Sequence, residues 1–89
     1  MASRHTGANM IDRIIRFKEL RHLTGLSRST IYLHISAGMF PRQIRLTPRT
    51  IGWRESEVAA MLDARARDAS DTEVRELVKR LEAERKESP

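Results

Sequence analysis

The chain contains no cysteine in its 89 residues. That excludes a disulfide framework and Cys-ligated zinc, and it suits a reducing cytoplasm. No apolar run approaches the length of a membrane span, and Met1 to Asn9 has no hydrophobic region of the signal-peptide kind, so no membrane partner is expected. Residues 1–9 read instead as a flexible tail. A Gly-rich phosphate loop is missing, as are internal repeats and low-complexity tracts. No carboxylate pair or nucleophile–base arrangement stands out, and His5, His22 and His34 do not fall at metal-ligand spacing. These absences argue for a protein that is not an enzyme and that uses no metal or cofactor.

Acidic residues are scarce in one half of the chain. The net charge is +5, but residues 1–54 hold ten Lys/Arg against two Asp/Glu, a net +8, whereas residues 55–89 hold seven against ten, a net −3. Solubilising surfaces usually mix signs. A positive field concentrated on one half is the footprint expected of a polyanion partner. The length allows one small domain with one extra element, and its core is modest: a domain of about 60 residues buries only about 60% of its unfolded surface.

The stretch Thr24-Gly25-Leu26-Ser27-Arg28-Ser29-Thr30-Ile31-Tyr32 reads as the turn and recognition helix of a helix-turn-helix. Phe17 to Leu23 forms a short preceding helix with Phe17, Leu20 and Leu23 as its apolar residues. Gly25 supplies the positive φ that a sharp helix exit requires. Leu26 plugs the turn, and Ser27 accepts from the first free N–H groups of the next helix as an N-cap. That helix runs to about Ala37, with Gly38 as its C′ residue. Ile31 and Ile35 give it a buried side, and His34 leans toward that side. Arg28, Ser29, Tyr32 and Leu33 fall mostly on the other.

Met10 to Arg16 is an Ile-rich segment expected to run extended beside the domain, and Phe40-Pro41 forces another extended path. Gln43 to Leu46 alternates, with Ile44 and Leu46 on one face and Arg45 on the other. Thr47-Pro48-Arg49-Thr50 is a turn with Pro at its second position. Thr50 to Trp53 alternates again, with Ile51 and Trp53 inward, so the two strands make a β-hairpin. A third helix starts near Glu55, its acidic first turn suiting the helix dipole, and Val58, Met61, Leu62, Arg65, Ala66 and Ala69 follow helical spacing. Ser70-Asp71-Thr72-Glu73 has the spacing of a capping box and opens a fourth helix to about Lys86. Its stripe of Val74, Leu77, Val78 and Leu81 either packs back on the third helix or pairs with a second chain. The expected organisation is a tail over residues 1–9, a DNA-binding domain over 10–69, and an amphipathic helix over 70–89.

Three blocks in order, Gly25 to Tyr32, Gly38-Met39-Phe40-Pro41, and Gly52-Trp53-Arg54-Glu55-Ser56-Glu57-Val58, resemble the AlpA family of small phage and prophage regulators. That family is related to excisionases and to the MerR-like winged-helix fold. The resemblance runs from about Arg16 to Met61. It implies a mainly α, winged helix-turn-helix protein, with the hairpin as the wing and one more helix at the C-terminus. It also implies a sequence-specific DNA-binding regulator that controls transcription, as of an integrase gene, or prophage excision. Integrase or RNA polymerase would be protein partners, and the setting would be cytoplasmic and nucleoid-associated. The chain departs from the family at Leu33-His34, where a basic residue followed by an apolar one is usual, so no member's base preference transfers.

Recognition-helix candidates are Arg28, Ser29, Thr30, Tyr32 and Leu33. Arginine bonds two edges of guanine in the major groove, and Leu33 suits a thymine methyl or a neighbouring protomer. Tyr32 serves either as a DNA contact or as the edge of a small core. Wing candidates are Arg42, Arg45 and Arg49, with no acidic residue between Met39 and Trp53; such a set suits phosphates or the minor groove. Arg16, Lys18 and Arg21 are candidates for backbone contacts. A homodimer or a cooperative array on DNA would use Val74, Leu77, Val78 and Leu81. Two rival readings lean on the same stripe: a phage assembly protein such as a small terminase subunit, and a DNA-tethered protein adaptor.

Overall fold

The structure, a computed structural model, describes residues 11–87. The expected tail at residues 1–9 and His5 lie outside them. Seven elements follow in order: β1 (Ile14–Arg16), α1 (Phe17–Thr24), α2 (Arg28–Ser36), β2 (Ile44–Thr47), β3 (Thr50–Arg54), α3 (Glu55–Ala66) and α4 (Asp71–Glu87). The architecture is mainly helical with a small sheet, a winged helix-turn-helix closed by a C-terminal helix.

The extended Ile-rich segment is more than a neighbour of the hairpin. As β1 it pairs antiparallel with β3, making a three-stranded sheet in the order β1-β3-β2. Ile15 pairs with Trp53, and both side chains are fully buried. Gly52 sits between Arg16 on one side and Ile44 on the other. A Cβ there would lie 2.5 Å from Ile14 Cγ2 and 2.9 Å from the Ile15 carbonyl oxygen, so a glycine is what lets β1 close on the sheet. The β3 backbone then passes straight into α3, and Glu55 N–H donates to Arg13 O at 2.7 Å.

Trp53 is the centre of the core. Phe17 meets it edge-on with ring centroids 5.2 Å apart, and Phe40 does so at 6.1 Å. Such T-shaped pairs add to simple area burial. The buried indole N–H donates to Pro41 O at 2.8 Å, so the ring leaves no polar atom unpaired. Leu20, Ile31, Val58 and Met61 complete the surrounding wall.

One helix departs from the sequence pattern. On α3 the buried line is Glu57, Val58, Met61 and Ala64, whereas Leu62, Arg65 and Ala66 are exposed. Of the residues at helical spacing only Val58 and Met61 lie on that line, and Glu57 joins it because Arg85 meets it there. On α4 the capping box forms as the spacing requires: Ser70 N–H donates to Glu73 Oε1 at 2.8 Å and Glu73 N–H to Ser70 Oγ at 3.2 Å. The chain reaches that box through Asp68, at φ 58°, a residue type that tolerates the left-handed region.

The stripe on α4 takes the intramolecular course. Val74, Leu77 and Val78 are 0%, 9% and 4% exposed within the single chain, and Leu81 packs partly buried against the same cluster. Of the two courses open to the stripe, the single chain shows the back-packed one, which leaves little of Val74, Leu77 and Val78 exposed. A core this small gains more from covering Met61 and Ala64 with its own next helix than from leaving them for a partner.

Candidate nucleic-acid interface

The turn of the helix-turn-helix is built from local hydrogen bonds. Gly25 takes φ 73° and its N–H donates to Arg21 O at 2.8 Å, ending α1. Thr24 Oγ1 donates to Leu20 O at 2.9 Å and accepts from Leu26 N–H at 3.2 Å, while Leu26 packs against the core. Ser27, in an extended conformation, caps α2 by accepting from Thr30 N–H at 3.2 Å. Its hydroxyl also donates to Thr30 Oγ1 at 3.0 Å. At the far end Gly38 sits at φ 75°, and Met39 N–H donates to His34 O at 2.9 Å.

These caps fix which side of α2 faces out. Ile31 is buried and Ile35 packs partly against the core, as spaced. Arg28, Ser29, Tyr32 and Leu33 are exposed. Arg28 stacks its guanidinium on Phe17, with Cζ 4.3 Å from the ring centroid, and Tyr32 lies 5.4 Å from the same ring. Tyr32 is therefore an edge of the aromatic cluster that keeps a 39% exposed face. Thr30 is half-buried and engaged in the cap, so it is a weaker candidate for contact than Ser29. His34 is half-buried, and the described residues hold no cluster that could bind a metal.

Cations divide into two groups. Arg13 pairs with Glu19 at 3.0 Å and with Glu55 at 3.5 Å, which raises its pKa, chiefly through the Glu19 hydrogen bond. Arg54 pairs with Asp12 at 3.2 Å, and Asp12 also accepts from Ser56. These charges are neutralised at the edge of the sheet. Arg16, Lys18, Arg21 and Arg28 of the helix-turn-helix have no carboxylate partner among the described residues, nor do Arg45 and Arg49 of the wing. Residues 20–54 contain no Asp or Glu at all, and the Glu19 carboxylate beside Lys18 is taken by Arg13. Lys18 and Arg21 share a shallow cleft with Gly25, Leu26 and Ser27, beside the start of α2.

The wing differs from the alternation in its sequence. A β-bulge lies between Arg45 and Thr47, so Arg45 stands opposite Ile51 and Thr47 opposite Thr50. The extra residue, Leu46, is pushed into solvent at 45% exposure. Arg45 and Arg49 are both exposed, the latter in the turn. Arg42 lies ahead of β2 and is held by α4: its N–H donates to Glu82 Oε2 at 2.7 Å and its side chain pairs with Glu82 at 3.8 Å. It belongs to the base of the wing, with part of its charge offset.

Sequence reasoning missed what α4 does for this surface. Arg85 donates to both Glu57 oxygens, at 2.6 and 2.8 Å, and to Arg42 O at 2.8 Å. Arg75 donates to Ala37 O at 3.1 Å, beyond the end of α2. One helix thus grips the end of α2, the base of the wing and the start of α3. The pairing raises the Arg85 pKa, mainly through the Glu57 hydrogen bond, against a smaller opposing effect of burial. No local sequence signal links residues 28 and 43 positions apart; the only hint was a glutamate in the first turn of α3.

An exposed helix face flanked by uncompensated cations can meet phosphates on both rims of a groove and present side chains between them. Comparison with known proteins fits this geometry. Residues 13–66, from the start of the sheet to the end of α3, match the family described as prophage CP4-57 regulatory protein (AlpA). Uncharacterized protein ORF88 of Enterobacteria phage P4 is 46% identical over 54 residues, which are 61% of this chain and 61% of that protein. The chain thus spans less than two thirds of the length of this relative, and α4 lies outside the family match.

Proposed function

The chain belongs to the family of the prophage CP4-57 regulatory protein (AlpA), and from that premise we propose that it regulates by binding double-stranded DNA in a sequence-specific manner. In this reading α2 enters the major groove and presents Arg28, Ser29, Tyr32 and Leu33. The wing lays Arg45 and Arg49 on the adjacent backbone or minor groove, and Arg16, Lys18 and Arg21 hold phosphates beside α1. The observation that carries it is the run without acid over residues 20–54, whose folded form leaves Arg21, Arg28, Arg45 and Arg49 without a carboxylate partner among the described residues. The outputs are control of transcription, as of an integrase gene, or assistance to prophage excision, with RNA polymerase or integrase as the protein partner. One small domain has limited contact area, so binding is cooperative on paired or repeated sites.

The assembly-protein and adaptor readings needed the α4 stripe as an outer surface, and that stripe lies in the core. Among the described residues no helix is long and apolar enough to cross a membrane, which is compatible with a protein working at the nucleoid. The test is pulldown of fragmented source-genome DNA by the purified protein, followed by sequencing. Enrichment at repeats near an integrase gene or attachment site is the expected result. Salt-sensitive binding with no enriched site would refute sequence-specific regulation.

A further inference from the structure

Two of the outward side chains of α2 have no hydrogen bond, ion pair or ring contact among the described residues. Arg28 and Tyr32 lean on Phe17, and Thr30 is tied into the cap. Ser29 and Leu33 remain, four residues apart and therefore neighbours on one helix face. Leu33 is 64% exposed, more than any other large apolar residue within a described helix or strand. Ser36 Oγ, which would otherwise compete for the same space, turns back to donate to Leu33 O at 2.8 Å.

A single exposed leucine is common on protein surfaces; the surroundings of this one are not. It projects from α2, a helix without acidic residues that also carries the unpaired Arg28, within a run free of Asp and Glu over residues 20–54. A cover that suits it is anionic around the rim and apolar at the centre. The major groove of DNA has that layout, with phosphates along both edges and the thymine 5-methyl inside. We propose that Leu33 is a specificity-determining residue that selects thymine by packing on its 5-methyl group. This rests on the DNA-binding reading above and adds to it the base and the atom recognised.

The experiment uses the full chain and a duplex selected by it from a random library. Each thymine is replaced in turn by uracil, which removes the methyl and nothing else. One replacement is expected to weaken binding by the wild-type protein about fourfold, the value of one methyl-sized group taken out of water. The same replacement should leave Leu33→Ala unaffected, and because Leu33 is exposed the variant keeps the wild-type circular dichroism spectrum. A duplex with no methyl-sensitive thymine overturns the assignment, as does sensitivity that persists in Leu33→Ala. Loss of cooperativity in Leu33→Ala without any methyl effect overturns it in favour of a protein contact. A library that yields no enriched duplex sinks the sequence-specific reading on which the assignment rests.

Discussion

Arg28 rests its guanidinium on the face of Phe17, 4.3 Å from the ring centre, and Phe17 in turn stands edge-on to the buried Trp53. The first side chain of the recognition helix is thus braced, through one ring, against the centre of the core. Stacking restrains a long side chain that would otherwise sample many rotamers, and it leaves the N–H edge of the fork available. Less is then lost on forming a two-bond contact to guanine.

Arg28→Ala is therefore expected to weaken binding to the selected site by about 1–3 kcal/mol, with a smaller effect on unrelated DNA. Titration of both duplexes at one salt concentration measures the difference. Unchanged sequence preference would show that α2 docks in another orientation.

For the wing, Arg45→Ala and Arg49→Ala should each weaken binding to all sequences and flatten the slope of log K against log salt by about one unit. Arg42→Ala should flatten it less, because Glu82 already sits 3.8 Å from that guanidinium. Equal slopes for all three variants would contradict the division of the hairpin cations drawn from the structure.

Arg85→Ala strips the partner from a glutamate that is only 2% exposed. Breaking a buried pair from one side costs about 3–5 kcal/mol, and with Arg85 20% exposed the low end of that range is expected in urea unfolding. Glu57→Leu combined with Arg85→Met should recover much of the loss, since no lone charge then remains inside. Because the pair raises the Arg85 pKa, its stabilisation is complete below the ordinary guanidinium range and fades only as pH rises through the raised value. Stability between neutral and moderately alkaline pH should therefore not titrate through this pair.

Trp53→Ala removes the ring on which Phe17 and Phe40 converge and orphans Pro41 O. Such truncations cost about 3–5 kcal/mol, a large part of the stability of a small domain, so the variant should lose its cooperative thermal transition or show a strongly lowered Tm. Gly52→Ala tests the neighbouring strand contact. It should destabilise through the clash with Ile14 and the Ile15 carbonyl, and a wild-type Tm would argue against the tight closure of β1.

The helix-turn-helix was the most legible part of the chain because its signals are local. Gly25 and Gly38 mark positive φ, Ser27 marks a cap, and Ile31 with Ile35 marks one face; each acts within a turn of where it is read. The hairpin was legible in outline through Pro48 and the alternation around it. The bulge at Leu46 was not, since one extra residue in a strand shows only against its partner. The strand character of Ile14 to Arg16 needed β3 beside it for the same reason.

What composition and local pattern settled was the class of the protein: a cysteine-free chain with a positive helix-turn-helix and no acid between Glu19 and Glu55. What folding settled was which of those charges stay uncommitted. Arg13, Arg42, Arg54 and Arg85 look no different from Arg28 or Arg45 along the chain, yet they are held by Glu19, Glu82, Asp12 and Glu57. The destination of α4 was decided in the same way. An apolar stripe states only that something must cover it, and whether the cover is the chain's own core or another chain depends on distant surfaces meeting in three dimensions.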